Sequence, residues 1–167
     1  MTPLRSNEAF IGFIATLENP VLAVLTGMIV TAIIQSSAAT TGIVIVLAGQ
    51  GLMTLDSAIA VALGANIGTC ATAGLASIGK SREAVRAAVV HVLFNIAGVA
   101  VWIGFVPELA DLARAVSPTA ETLSGQARAA AEAPRQVANA HTIFNVANTL
   151  LFIGFTPWIA RFVERLV

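Results

Sequence analysis

The chain has 167 residues, of which 57% are hydrophobic and only 11% are charged, and its formal net charge is zero. A soluble globular domain carries about 25% charged residues, so water is not the main solvent of this protein. The balanced charge excludes the basic surface of a nucleic-acid-binding protein. One cysteine and two scattered histidines make neither a disulfide framework nor a zinc site. The composition therefore indicates an integral membrane protein, with the lipid bilayer as its surroundings.

The first nineteen residues contain two acidic residues and lack an unbroken apolar core. A cleaved secretory signal has a basic start followed by a continuous apolar stretch, so this segment is not typical of one. We interpret residues 1–19 as a short interfacial segment that precedes the membrane domain.

Uncharged gaps locate the membrane segments, because an ionised side chain at the bilayer centre costs roughly 2.5–3.5 kcal/mol. Four long gaps carry no charge: 19–55, 57–79, 87–107 and 136–160. The last two hold about the 20 residues that a helix needs to cross ~30 Å of hydrocarbon. The sequence therefore predicts simple transmembrane helices at residues 87–105 and 136–155, preceded by two less regular segments.

The first gap is divided by a polar string, QSSAATTG, at residues 35–42. The arm before it, residues 20–34, begins with a proline suited to the first turn of a helix, and it rises only ~22 Å. The return arm, residues 43–49, is shorter still. These lengths predict a re-entrant helical hairpin whose polar tip lies near the midplane, buried in protein or facing a wet cavity.

The second gap contains the sequence GANIGT at residues 64–69, between two stretches of helical character. Two glycines four residues apart are typical of a close-packed helix face. The other interpretation is a broken helix, whose unwound centre offers polar groups to a substrate or ion. Because two interrupted segments follow each other, we predict the broken helix.

These segments divide the chain into four parts. Residues 1–19 form the interfacial segment, and residues 20–106 hold the hairpin, the broken helix and the first full span. Residues 107–135 are polar and alanine-rich with breaks at Pro118 and Pro134, which predicts a surface connection on one side of the membrane. Residues 136–167 form the last span and a tail, antiparallel to the first full span.

The two simple spans are similar to each other. HVLFNIAGVAVWIGFVPELA, residues 91–110, aligns without gaps on HTIFNVANTLLFIGFTPWIA at an offset of 50 residues, with nine identities. This order of identities predicts duplicated elements in opposite orientation. His91 and His141 are expected to be hydrogen-bonded interfacial side chains, and Asn95 and Asn145 to join helices.

QSSAATTG, GANIGT after the helix TLDSAIAVAL, and the pair HVLFN and HTIFN together resemble the type II sodium/phosphate cotransporters and their bacterial relatives. The likeness covers roughly residues 19–167. That family has a Gln-Ser-Ser-Ser string at the tip of a re-entrant hairpin, and Ala38 stands at its third serine. The resemblance implies an all-α integral membrane protein, a multi-pass half of an inverted-repeat transporter in a bacterial inner membrane.

By this resemblance the chain transports inorganic phosphate together with sodium, is not an enzyme, and uses no organic cofactor. The predicted membrane zone contains no charged residue, so an anion there must be held by neutral donors and by the positive end of the return half-helix. The predicted substrate ligands are Gln35, Ser36, Ser37, Thr40 and Thr41. A desolvated anion is costly to bury, so bound sodium would offset its charge. The predicted sodium ligands are Gln35, Asn66 and Thr69.

The family builds its transporter from two inverted units, and one unit alone cannot enclose a site. We therefore expect a second repeat unit, either in a longer chain or as an antiparallel homodimer. The predicted topology puts four basic residues on one side and five on the other, almost no positive-inside bias. An antiparallel homodimer is compatible with that distribution.

Other functions are open at this point. A structural or accessory membrane subunit would use serine, threonine and glycine only for helix packing, and a transporter of another small polar anion would use the same tip. An enzyme with Ser36 or Ser37 as nucleophile and His91 as base lacks a G-x-S-x-G elbow and an acidic orienting residue. Thr26 and Thr31 are expected to bond to the preceding turn of their own helix.

Overall fold

The computed structural model describes residues 6–167, and that range is helical without strands. The prediction of an all-α protein is confirmed for these residues. Residues 1–5 of the predicted interfacial segment lie outside the described range. The helices are α1 Glu8–Thr16, α2 Pro20–Ile34, α3 Ser37–Gly49, α4 Leu55–Ser77, α5 Arg82–Trp102, α6 Val106–Ala115, α7 Gly125–Ile153 and α8 Thr156–Leu166, with a 3₁₀ turn at Ile103–Phe105 between α5 and α6.

Two helical stretches are long and apolar enough to cross a membrane, namely Leu55–Ser77 and Arg82–Ala115. Two further pairs meet the same criterion only when both partners are counted together. The α1–α2 pair bends by 113°, and the α7–α8 pair bends by 79°. By length and composition, the described chain therefore has two helical stretches that could cross a membrane, or up to four if each bent pair counts as one span.

The hairpin consists of α2 and α3. Its first arm has the predicted bounds, Pro20–Ile34, because Asn19 caps the helix by accepting hydrogen bonds from the backbone N–H groups of Val21 and Leu22. The second arm begins at Ser37 rather than at residue 43, since Ser36 provides a new N-cap immediately after the turn. The polar residues 37–42 are thus helical, and the non-helical tip is only Gln35 and Ser36.

The prediction of a broken helix at residues 64–69 is wrong. Helix α4 is continuous from Leu55 to Ser77. A Cβ added at Gly64 would lie 2.7 Å from the carbonyl carbon of Val24, and one added at Gly68 would lie 2.5 Å from the carbonyl oxygen of Met28. The glycines therefore allow two helix backbones to touch, which is the small-residue packing of membrane helices.

Helices α2 and α4 run parallel, because Gly64 faces Val24 and Gly68 faces Met28. Gln35 lies seven residues beyond Met28, which is ~10 Å further along the helix direction at 1.5 Å per residue. The tip is consequently about level with the last two turns of α4, not with its middle. The position of the tip relative to the membrane midplane stays a prediction.

Both arms of the hairpin are anchored at the same end of the bundle. Gly49, at the end of α3, lies against Pro134 of α7, and Gly51 lies near Gln126. A cavity of about 620 Å³ separates α1 from the α3–α4 turn and the start of α7 at this end. We call it the base end; the opposite end, with the α4–α5 turn and α8, is the α8 end.

The two similar spans are α5 and part of α7, and they cross antiparallel as predicted. Gly98 contacts the side chain of Asn148, its counterpart in the alignment. On either side, Phe94 packs edge-on against Phe152 at 5.6 Å, and Trp102 packs edge-on against Phe144 at 6.1 Å. Exchanging each residue for its counterpart 50 positions away converts one pair into the other. A local two-fold axis therefore passes through the contact of Gly98 with Asn148.

The polar connection and the last span differ from their predicted bounds. Helix α7 is continuous from Gly125 to Ile153 and includes Pro134, so the predicted boundary at residue 135 falls inside a helix. The helix tolerates Pro134 where the ring packs on Gly49. The span also ends at Ile153 rather than at residue 155, and α8 then turns away from it.

Candidate functional site

The tip of the hairpin is formed by a left-handed residue. Gln35 has φ 57°, and it is the only non-glycine residue with positive φ among those described. Its backbone N–H donates to the carbonyl oxygen of Thr31 at 2.6 Å, which ends α2. Such a conformation costs a side-chain-bearing residue about 1–2 kcal/mol, so the surrounding contacts must hold it.

Ser36 starts the second arm. Its side-chain Oγ accepts a hydrogen bond from the backbone N–H of Ala39 at 3.2 Å, and its carbonyl oxygen accepts one from the N–H of Thr40 at 3.1 Å. Because the first turn of a helix leaves N–H groups without carbonyl partners, the N–H groups of Ser37 and Ala38 point out of this helix end. A helix N-terminus therefore opens at the hairpin tip.

A chain of buried hydroxyls joins the two arms behind the tip. The hydroxyl of Thr31 donates to Thr40 Oγ1 at 2.8 Å, and the hydroxyl of Thr40 donates to the carbonyl oxygen of Ser36 at 3.3 Å. Thr31 and Thr40 are almost completely buried. The expectation that Thr31 bonds to its own preceding turn is wrong, because its hydroxyl bridges to the facing arm.

The five predicted substrate ligands have different exposures. Gln35 is exposed, Ser36 and Ser37 are half-buried, and Thr40 and Thr41 are buried. The hydroxyl of Thr40 is engaged inside the hairpin, whereas Thr41 Oγ1 is buried without a hydrogen-bond partner in the described chain. Ser36 and Ser37 are therefore the hydroxyl-bearing residues that face outward at the tip.

The predicted sodium ligands on α4 bond to their own helix. The Asn66 amide donates to the carbonyl oxygen of Ala62 at 3.2 Å, and the Thr69 hydroxyl donates to that of Ala65 at 3.0 Å. Both bonds use a donor hydrogen, so the side-chain oxygens keep lone pairs. No hydrogen bond within residues 6–167 joins Gln35 to either side chain, and the predicted sodium set stays a prediction.

The equivalent asparagines of the two similar spans also form hydrogen bonds within their own helices. The Asn95 amide donates to the carbonyl oxygen of His91 at 2.9 Å, and the Asn145 amide donates to that of His141 at 2.7 Å. Both of these bonds lie within one helix. The Asn95 side chain also hydrogen-bonds the Cys70 side chain on α4, so Asn95 links two helices as expected. His141 Nε2 is buried without a hydrogen-bond partner among the described residues.

Sequence reasoning missed the part that two buried polar residues, Asn148 and Thr31, play in the packing of the helices. Asn148 is 1% exposed, and neither of its amide atoms has a hydrogen-bond partner in the described range. Thr31 is the other, since it closes the hydroxyl chain at the tip. The alignment of Asn148 with Gly98 was a signal for the first residue, because a large and a small side chain at equivalent positions can pack against each other.

The fold and the tip define a class: an all-helical membrane protein with a helical hairpin whose tip presents a helix N-terminus and neutral hydroxyls. The family model described as Na+/Pi-cotransporter matches residues 7–117, about two thirds of the chain. The chain belongs to this Na+/Pi-cotransporter family, which confirms the resemblance inferred from its motifs. The match contains the hairpin, α4, α5 and α6, and it ends before α7.

Individual relatives match shorter stretches. Uncharacterized protein YqeW of Bacillus subtilis is 40% identical over 96 residues, 58% of this chain and 31% of YqeW. Human sodium-dependent phosphate transport protein 2C is 41% identical over 85 residues, 48% of this chain and 14% of the relative. Sheep sodium-dependent phosphate transport protein 2A is 37% identical over 87 residues, with the same shares. The chain thus spans less than a third of each of these relatives, and no solved structure matches it.

Proposed function

We propose that the chain is one unit of a sodium-coupled transporter of inorganic phosphate, located in the plasma membrane of a bacterium. Membership of the Na+/Pi-cotransporter family supports the substrate and the coupling ion. The main structural support for the site is the break in the helix at Gln35 and Ser36. This break exposes the N-terminus of α3 at the tip of the hairpin. Transport, not catalysis, is the function that this arrangement supports.

Phosphate binding at the tip would use two kinds of neutral donor. The N–H groups of Ser37 and Ala38 and the helix dipole of α3 favour an anion at this position. The hydroxyls of Ser36 and Ser37 can donate to phosphate oxygens, with the Gln35 amide beside them. The buried bridge from Thr31 to Thr40 holds the two arms together, so these donors keep a fixed geometry. Thr40 joins the site only if this bridge rearranges, and Thr41 only if its buried hydroxyl becomes accessible.

Sodium would supply the positive charge that the tip lacks. No charged residue lies between Glu18 and Asp56 or between Asp56 and Lys80, so neither the hairpin nor α4 beyond Asp56 contributes a fixed cation to phosphate at the tip. Oxygen atoms are the ligands that hard cations prefer, and Gln35, Asn66 and Thr69 offer side-chain oxygens. Each ion would then make the binding of the other more favourable, which is the thermodynamic basis of coupling.

A second unit would complete the site. We propose that it is supplied by a longer chain or by an antiparallel copy of this one, since a single hairpin leaves Gln35 exposed on one side. Movement of one unit against the other around the tip would give alternating access.

A non-transporting membrane subunit is the second candidate function. It is favoured by the hydrogen bonds of Thr40, Asn66 and Thr69, which all stay inside the protein, and by the glycine contacts between α2 and α4. A transporter of another small anion is a variant of the first proposal. Measurement of sodium-dependent phosphate binding and uptake separates these functions.

Cysteine labelling tests whether the hairpin is re-entrant. With the native Cys70 replaced by serine, Gln35→Cys is expected to react with a membrane-impermeant thiol reagent from one side only. Phosphate with sodium should slow this labelling in proportion to site occupancy, whereas Thr41→Cys should react more slowly throughout because that position is buried.

Cysteines at the two feet of the hairpin provide the topological control. Glu18→Cys and Gln50→Cys should both react from one and the same side of the membrane, because both feet lie at the base end. Labelling of the two feet from one side and of Gln35→Cys at the tip from the opposite side would show a pair of spanning helices, and the re-entrant arrangement would then be wrong.

The number of units needed is tested in nanodiscs of known copy number. Discs that hold one copy of this 167-residue chain are expected to show no sodium-dependent binding of radiolabelled phosphate. Discs with two copies in opposite orientation, or with a longer chain that contains a second unit, are expected to bind it. Equal binding per chain in one-copy and two-copy discs would contradict the requirement for a partner.

A further inference from the structure

Charge is distributed unequally between the two ends of the bundle. The α8 end carries five basic and two acidic residues: Lys80, Arg82, Glu83, Arg86, Arg161, Glu164 and Arg165. The described part of the base end carries seven acidic and three basic residues: Glu8, Glu18, Asp56, Glu108, Asp111, Arg114, Glu121, Arg128, Glu132 and Arg135. The α8 end is thus the electropositive end, with a net charge of +3 against −4.

Helix α8 is amphipathic and bends away from α7 by 79°. Ile159 and Val163 face the bundle, and Val163 is only 1% exposed. Trp158, Phe162 and Leu166 form an adjoining face that is 54–69% exposed. Glu164, Arg161 and Arg165 occupy the polar face. A helix with an aromatic face beside a basic face, at the end of a membrane bundle, is typical of the membrane–water interface.

An apolar groove of about 190 Å³ lies between α8 and the two duplicated spans. Its lining comes from three helices: Val90 and Phe94 of α5, Thr149, Phe152 and Ile153 of α7, and Thr156, Ile159 and Ala160 of α8. Apart from two threonines the lining side chains are apolar, so a water molecule would find few hydrogen-bond partners there. The groove therefore suits a hydrocarbon chain.

Arg86 is not among the lining residues, but it lies next to them along α5. It precedes Val90 and Phe94 by one and two helical turns, so the three side chains share a face of α5. Arg86 Nε is buried without a hydrogen-bond partner in the described chain. By contrast, Arg114 and Arg128 at the base end form ion pairs. The acidic neighbour on its own helix is Glu83, which is exposed.

We propose that this groove binds an anionic phospholipid. One acyl chain lies in the groove against Phe94, Phe152 and Ile159, and the headgroup phosphate is bound by the guanidinium group of Arg86. Arg161 and Arg165 on the polar face of α8 add positive charge beside the headgroup, and Arg161 also stacks over Trp158 with its guanidinium 5.5 Å from the ring centre. The partner is a lipid rather than a protein because three features coincide there: an apolar groove, an arginine whose Nε has no hydrogen-bond partner among the described residues, and an interfacial helix.

Trp158 allows a direct test, since the chain has only one other tryptophan, Trp102. In a Trp102→Phe background, the protein is placed in phosphatidylcholine nanodiscs with increasing fractions of dibrominated phosphatidylglycerol or dibrominated phosphatidylcholine. Bromine on the acyl chain quenches tryptophan on contact, and unbrominated lipid of the same headgroup gives the reference. We expect the quenching of Trp158 to show a roughly fivefold preference for brominated phosphatidylglycerol over brominated phosphatidylcholine. This preference corresponds to the effect of about one interfacial arginine.

Two matched substitutions distinguish specific binding of the headgroup at Arg86 from a general attraction of anionic lipid to the basic end of the bundle. Arg86→Gln is expected to reduce the preference to less than about twofold. Lys80→Gln removes the same charge from the same end but away from the groove, and it should leave most of the preference. The Trp158 emission spectrum in phosphatidylcholine alone checks that α8 is still folded in both variants.

Three results would overturn the proposal. Equal quenching by the two brominated lipids would show that the groove does not select an anionic headgroup. Equal losses in Arg86→Gln and Lys80→Gln would show a diffuse surface potential in place of a site. Quenching by neither lipid would show that a protein partner, such as a second unit, covers this face.

Discussion

Replacing Gly64 with alanine is expected to separate the hairpin from α4 and to destabilise the protein by about 3 kcal/mol or more, at the upper end of over-packing effects. The added Cβ would overlap the carbonyl oxygen of Val24 and lie 2.7 Å from its carbonyl carbon. Gly27 makes the reciprocal contact with the backbone of Val61, so the two helices touch backbone to backbone. Because both obstacles are backbone atoms, no side-chain rotation can relieve the clash.

Gly74 provides the matched control in the same helix. A Cβ at Gly74 would meet nothing within 4 Å, so Gly74→Ala is expected to be neutral or to stabilise α4 by up to about 1 kcal/mol through helix propensity. Unfolding in mixed detergent, followed by far-UV circular dichroism, compares the two variants. If Gly64→Ala proved as stable as Gly74→Ala, the close parallel packing of α2 on α4 would be wrong.

The hairpin was predictable because its signals are local. The uncharged stretch after Glu18 located the segment, Pro20 marked the first helical turn, and the polar string marked the end of the first arm. The arms were then too short to cross a bilayer separately. What the sequence did not show is that Ser36 caps a helix at once, so that most of the polar string is helical.

Helix α4 was mispredicted because α2, the helix against which its glycines pack, lies far away in the sequence. The spacing of Gly64 and Gly68 fits both an unwound segment and a close helix contact, and only the position of α2 decides between them. The hydroxyl bridge could not be predicted for the same reason, since Thr31 and Thr40 meet only after the chain has turned at Gln35. Pro134 was likewise taken as a break, although its ring packs against Gly49 within a continuous helix.

Replacing Ser36 or Ser37 with alanine is expected to weaken phosphate binding roughly ten- to hundredfold, since a hydrogen bond to a charged group contributes ~1.5–3 kcal/mol. Ser37→Ala is the cleaner variant. Ser36→Ala also removes the cap of α3, which typically costs ~1 kcal/mol of stability, so its folding must be checked separately.

Thr26→Ala is the matched control on the first arm, because Thr26 takes no part in the hydroxyl bridge at the tip. Thr31 does not serve this purpose, since its loss would release Thr40. Ala38→Ser adds a hydroxyl at an exposed position of the tip. Thr40 cannot substitute for it while bonded to Thr31 and Ser36, so Ala38→Ser is expected to strengthen phosphate binding.

Equilibrium binding of radiolabelled phosphate, in sodium and in potassium, tests the proposed site most directly. The protein is measured in an assembly with a second unit, as unmodified chain, Ser37→Ala and Thr26→Ala. We expect tight binding only in sodium, unchanged by Thr26→Ala and roughly ten- to hundredfold weaker in Ser37→Ala. Folded Ser36→Ala and Ser37→Ala proteins that bind phosphate and sodium as tightly as the unmodified chain would contradict the account and leave the hairpin tip as a packing element.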